Sequence, residues 1–239
     1  MKEDILGVQV CSLNYDELIN EIAKDIEAKR KSFIVAINPE KIFMSLKDEK
    51  LKNLLNSATY QIPDGTGILI ASKLNSGKIT SRVTGIDLMK KLCEFANKEG
   101  KKIFLYGGKP GVAESASVQL KKEYPNLNIV GTLDGYQKDS NLVIEEINKK
   151  KPDILFVALG SPKQELWITE NMDKVDAHIF QGVGGSFDVI SGNVKRAPVA
   201  FQKLGLEWLH RLILQPWRYK RILNVFKFLF IALKYKNKK

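Results

Sequence analysis

Six short runs rich in β-branched and aromatic residues recur along the 239-residue chain: SFIVAIN (32–38), TYQIP (59–63), KIFLYGG (102–108), LNIVG (127–131), DILFVALG (153–160) and AHIFQGVGG (177–185). Segments with a different period separate them. In 86–99, 111–123 and 140–150, apolar residues return every three or four positions, the spacing of one helix face. Strands that are apolar on both faces need helices on both faces, and helical crossovers between parallel strands supply them. The expected fold class is therefore α/β, a Rossmann-like and mainly parallel sheet flanked by helices. GVQVCSL near the N-terminus adds a strand before a helix over about residues 15–29.

Several of these runs end in loops rich in Gly, Pro, Asn or Asp: INPEK (37–41), PDGTG (63–67), YGGKPG (106–111), GSPKQE (160–165) and GVGGSFD (182–188). Glycine lets a backbone approach a phosphate or sugar closely, and a following helix offers unpaired N–H groups to an anion. Five such loops on one sheet edge point to a ligand cleft at the strands' C-terminal ends, with Gly107, Gly108, Gly184 and Gly185 as substrate-binding candidates. Asp64, between Pro63 and Gly65, sits at a strand tip, where its carboxylate serves either a ligand or the cap of the next helix. GSPKQE has its own local explanation, with Ser161 as a helix cap, Pro162 in the first position and Gln164 completing a capping box. Neither glycine-rich loop fits GxGxxG, and GxxxxGK[ST] is absent, which disfavours a nicotinamide enzyme and a P-loop NTPase.

The formal net charge is +11, with an uneven distribution. Nine of the 38 basic residues and no acidic ones lie from Arg211 onward, leaving 29 basic against 27 acidic residues in the first 210 positions. A nearly neutral body argues against a nucleic-acid partner. The chain divides into an α/β body (1–207) and a basic amphipathic appendage (208–239). In that appendage no apolar run approaches the roughly 20 residues that span a bilayer. Lys220, Asn224, Lys227 and Lys234 share one side of a helix, while Ile222, Val225, Phe226, Leu229 and Leu233 gather on the other, as in an interfacial helix facing anionic lipid. A helix packing that apolar face on the body or on another subunit is the alternative. Cys11, Cys93, His178 and His210 stand apart, so no metal-ligand cluster is visible, and MKEDILGVQV does not resemble a secretion signal. A cytoplasmic protein, peripheral on the inner face of the cell membrane, is expected.

INPEK, IPDGTG (62–67), RVTGIDLM (82–89), LYGG, GSPKQE, GVGGSFDVISGNVKRAP (182–198) and LGLEWLHRL (204–212), taken in order, resemble the WecG/TagA/CpsF family of glycosyltransferases. The resemblance runs from about residue 5 to about 222. It implies inverting transfer of N-acetylmannosamine from a UDP donor to undecaprenyl-diphosphate-linked N-acetylglucosamine, in the linkage unit of wall teichoic acid or a related surface glycan. It makes Asp64 the catalytic base and Asn38, Arg82 and Gln164 active-site polar residues, and it assigns the C-terminal arginines, here Arg211, Arg218 and Arg221, to the lipid diphosphate. Their spacings of seven and three put these arginines near one face if the helix survives Pro216. One departure stands out: Ala36 occupies a position where the family commonly has threonine. No Asp-x-Asp triplet occurs, so a metal-independent enzyme without cofactors is expected. Transfer of another UDP-hexosamine or its uronic acid, and a non-catalytic nucleotide-sugar binding module, are the rival functions. The donor sugar and the oligomeric state, a homo-oligomer included, stay open.

Overall fold

The computed structural model describes residues 2–214 and 216–236, apart from the side chains of Lys203, Arg211, Arg218, Lys220, Arg221, Ile222, Tyr235 and Lys236. The chain opens with an antiparallel hairpin of β1 (Lys2–Ile5) and β2 (Val8–Cys11), followed by α1 (Tyr15–Glu27). All six runs expected as strands then enter one sheet: β3 (Ser32–Ile37), β4 (Tyr60–Pro63), β5 (Lys102–Gly107), β6 (Asn128–Leu133), β7 (Ile154–Ala158) and β8 (Ile179–Gly182). Their spatial order is β4-β3-β8-β7-β5-β6, and every pairing is parallel. The strands' C-terminal ends, with the glycine-rich loops that follow them, therefore share one edge.

Strand alternation builds two cores. Phe33, Val35 and Ile37 of β3 join Leu155 and Val157 of β7 on one face, whereas Ile34 joins Ile154 and Phe156 on the other. The second face is covered by α1, α5 (Gly85–Glu99), α6 (Val112–Glu123) and α9 (Ser186–Ile190). The first carries α2 (Pro39–Ser45), α3 (Glu49–Asn56), α4 (Thr66–Leu74), α7 (Ser140–Lys150) and α8 (Lys163–Asn171). The remaining helices are α10 (Val199–Lys203), α11 (Glu207–Leu214) and α12 (Tyr219–Lys236), the last preceded by a 3₁₀ turn at Pro216–Arg218.

The tail differs from its expected geometry in two ways. Proline cannot donate to the helical ladder, and α11 ends at Leu214, before Pro216. Arg211, Arg218 and Arg221 therefore belong to three successive elements, and their side chains lie outside the described residues. The apolar faces of α12 are also rotated from the expected division. It packs against α2 and α4 through Phe228 and Ala232, both fully buried in the first core, while Leu223, Phe226, Phe230 and Leu233 are exposed on the opposite side. The helix thus carries two apolar stripes, and its period does not say which one docks. Among the described residues, no helix is long and apolar enough to cross a membrane.

At the opposite edge from the loops, Asp25 of α1 ties three elements together. Its Oδ2 accepts from Ser32 Oγ at 2.6 Å and from Tyr60 Oη at 2.7 Å, and its Oδ1 accepts from Arg30. Burial pushes the Asp25 carboxyl up, but these hydrogen bonds and the Arg30 charge together outweigh it and hold the group below its ordinary value. A folded-state value below the unfolded one gives stability that is complete above the unfolded value, near pH 4, and is lost as pH falls through the folded one. Denaturation midpoints should therefore drop below about pH 4 in the parent chain and drop less in Asp25→Asn. Parallel pH profiles for the two proteins would remove Asp25 from the acid response.

Candidate active site

The stretch after β4 is held in place before any ligand chemistry is considered. Asp64 N donates to Ile37 O at 2.8 Å, extending the β3–β4 pairing by one step, and Val83 N donates to Pro63 O at 2.9 Å. The loops after β3 and β4 and the segment before α5 are thereby drawn together. Gly67 packs against Pro39, where a Cβ would lie 2.5 Å from the ring, so the first turn of α4 rests directly on the first turn of α2. Gly65, at φ +105°, occupies the cap position of α4. Asp64 stands one residue before that cap, half-buried at the tip of β4.

Asp64 lines a cavity of about 380 Å³ together with Asn38, Arg82, Gln164, Gly184 and Gly185. Six of the expected site residues, drawn from the loops after β3, β4, β7 and β8 and from the segment before α5, thus converge. Ala36 is in the same wall. The volume lies within the range of small-molecule sites. Asn38 caps α2, its Oδ1 accepting from Lys41 N at 2.9 Å, so Nδ2 is the polar group it can offer a ligand. The GSPKQE capping box does not form. Helix α8 begins at Lys163 with Pro162 at its cap, so Gln164 falls one position short of where a box requires it. Gln164 is instead buried, and its Oε1 accepts from Gly184 N at 3.0 Å. Gly182 makes room for it, since a Cβ there would lie 2.7 Å from Gln164 Nε2.

Gly184 and Gly185 also border a second, more open recess of about 900 Å³, whose lining includes Gly108, Tyr136, Trp167 and Asp188, with Lys109, Lys138 and Lys163. Gly107 lines neither cavity. Its φ is +122° and a Cβ would strike the Ala158 backbone, so it is needed for strand contact.

Arg82 is engaged. Nη2 donates to Glu207 Oε2 at 2.6 Å and Nη1 to Gln202 O at 3.3 Å. Arg196 in turn donates to Glu207 Oε1 and, through two nitrogens, to both oxygens of Asp87 at 2.6 and 2.7 Å. Thr84 Oγ1 completes the chain by donating to Asp87 Oδ2. Burial pushes the Asp87 carboxyl up, but the bonds from Arg196 and Thr84 outweigh it and keep the group below its ordinary value. This partly buried network joins the start of α11 to the cavity wall. Glu207 and Trp208 both line the cavity, as does Val225 of α12, so the C-terminal segment contributes to the site. Lys41, Arg196 and Glu207 were not singled out from sequence, although all three lie inside its motifs; nothing local marks them, because their partners are remote along the chain.

Among the described residues, no group of three or more His, Cys, Asp or Glu is arranged to hold a metal ion. The cavity lining offers the Asp64 carboxylate at a strand tip, with Glu40 and Glu207 also in the wall, a guanidinium, two side-chain amides and glycine turns, a set suited to accepting a proton and stabilising an anionic leaving group. The chain is 41% identical, over 99% of its length and 93% of the relative's, to the N-acetylglucosaminyldiphosphoundecaprenol N-acetyl-beta-D-mannosaminyltransferase of Bacillus subtilis strain 168. It is 38% identical to the protein of the same name from Bacillus spizizenii, over 88% of this chain and 82% of that one. Residues 3–239 match the model of the glycosyl transferase WecG/TagA/CpsF family, and the chain belongs to that family.

Proposed function

We propose that this glycosyltransferase moves an N-acetylmannosaminyl group, with inversion, from UDP to undecaprenyl-diphosphate-linked N-acetylglucosamine. The observation that carries this is the placement of Asp64 in a cavity shared with Asn38, Arg82 and Gln164, in a chain so similar to two named mannosaminyltransferases. An acceptor hydroxyl attacks the anomeric carbon and gives its proton to Asp64 as the bond to the UDP β-phosphate oxygen breaks, the electron pair leaving with UDP. The hexosamine occupies the cavity, and the nucleotide extends past Gly184 and Gly185 into the second recess, with Gly108 on its wall and lysines at its rim. Arg82 supplies fixed guanidinium donors for the developing charge. The lipid-linked acceptor enters on the side of Trp208 and Val225. There Arg211, Arg218 and Arg221 hold its diphosphate, and the exposed Leu223, Phe226, Phe230 and Leu233 rest on the inner face of the membrane.

Turnover of UDP-N-acetylmannosamine, UDP-N-acetylglucosamine and UDP-N-acetylmannosaminuronic acid with a short-chain polyprenyl-diphosphate-GlcNAc acceptor tests the assignment. Disaccharide from the first donor alone is expected. Preference for another donor would reassign the sugar, and binding of UDP without transfer to any acceptor would leave a nucleotide-sugar binding module.

The absence of an Asp-x-Asp triplet supports a reaction in which glycine-turn amides and arginines stabilise the leaving diphosphate without a cation. EDTA should then leave the rate unchanged within about twofold, an effect far below the loss expected from removing an essential metal. Abolition by chelator with rescue by magnesium or manganese would overturn the metal-independent scheme.

A further inference from the structure

Glu165 is a buried charge with no part in the chemistry above. It follows Gln164 in α8 and is 0% exposed. Its Oε1 accepts from Lys41 Nζ at 2.7 Å and from Gln164 Nε2 at 3.1 Å, while Oε2 is buried without a hydrogen-bond partner among the described residues. Lys41 Nζ also donates to Ala36 O at 2.8 Å. Burying an ion pair is costly, and apolar side chains of similar volume often pack as well or better, so stability alone does not require Glu165 here.

Orientation does. The two ends of a side-chain amide are nearly equal in shape but opposite in hydrogen bonding. Gln164 must present Oε1 to Gly184 N, which is a donor, and Nε2 to the Glu165 carboxylate, which is only an acceptor. A flipped amide would place donor against donor at Gly184 and acceptor against acceptor at Glu165. The chain Lys41–Glu165–Gln164–Gly184 thus crosses the loops after β3, β7 and β8 with every polarity specified.

We propose that Glu165 is a positioning residue for donor binding: held by Lys41, its carboxylate fixes the Gln164 amide, and through it the Gly184 N–H and the turn at Gly184 and Gly185. The consequence for catalysis rests on the assignment of that turn to the donor, whereas the consequence for the turn itself does not.

Two double variants separate orientation from ion-pair loss. Lys41→Met/Glu165→Met removes the pair and leaves Gln164 Nε2 with no acceptor at position 165. Lys41→Met/Glu165→Gln removes the same charges but restores an amide oxygen there. Hydrogen exchange at the Gly184 amide, followed by NMR without substrate, should accelerate about tenfold or more in the first and stay within about threefold of the parent in the second, the scale set by one hydrogen bond. Donor KM should rise about tenfold in the first and recover in the second, with kcat and acceptor KM changing less than about threefold in both. Lys41→Met/Glu165→Leu takes the place of the first variant if that protein does not fold. Equal Gly184 exchange in the two doubles would overturn the proposal. Restored exchange without any effect on donor KM would overturn its catalytic half. Absence of transfer by the parent chain would refute the proposed function, and Gly184 exchange would still decide the role of Glu165.

Discussion

Asp64→Asn is expected to lower turnover about 10²- to 10⁴-fold, the usual cost of removing a general base. Its thermal stability should change by about 1 kcal/mol or less, because asparagine keeps the side-chain volume and one acceptor oxygen, and the backbone bond from residue 64 to Ile37 O is unaffected by the substitution. UDP binding should persist, since the amide removes a proton acceptor and little volume. The measurement pairs single-turnover rates with calorimetric melting and UDP titration on one preparation. Turnover within a fewfold of the parent would remove Asp64 as the base. A stability loss matching the activity loss would return the residue to a purely structural role.

The second large effect separates the two apolar faces of α12. Phe228 is fully buried beside the core over α2 and α4, so Phe228→Ala should cost about 3–5 kcal/mol and shift the denaturant midpoint accordingly. Phe226 is 58% exposed, and Phe226→Ser should change stability by about 0.5 kcal/mol or less while weakening flotation with anionic vesicles. Deleting the whole helix would confound these effects, because it strips cover from α2 and α4 together with any lipid contact. Equal stability losses would mean that both faces are buried in solution, as in a subunit interface. Undiminished flotation of Phe226→Ser, and of a variant that also carries Phe230→Ser, would remove the exposed stripe from membrane contact.

What was legible in the sequence was local and periodic. The six strands of the sheet could be found because apolar runs ended in turn residues, and their common edge followed from parallel pairing. Asp64, Gly184 and Gly185 could be placed at one cleft because each lies in a turn at that edge, whereas Asn38, Arg82 and Gln164 were assigned through the family's motifs, and all six line one cavity. The register of a capping box was not legible: Pro162 at the cap moved the start of α8 by a single residue, and that turned Gln164 from a helix fastener into a wall of the cavity. Nor could the docking face of α12 be read, since both of its stripes repeat at helical spacing. The pairs Lys41 with Glu165 and Asp87 with Arg196 join residues 124 and 109 positions apart, and no periodicity carries such pairings.

The packing of α12 on α2 and α4 also orders events during synthesis. Those two helices directly follow the loops carrying Asn38 and Asp64, yet the helix that covers them starts only at Tyr219. At roughly 5–20 residues per second, the ribosome needs on the order of ten to thirty-five seconds to reach it from the end of α2. Until α12 emerges, Ile42 and then Ile68 and Ala71, all buried in the finished molecule, lack their C-terminal cover. The nascent chain therefore presents an apolar patch beside an incomplete active site. The cover over α2 and α4, beside the loops carrying Asn38 and Asp64, is complete only once α12 has emerged.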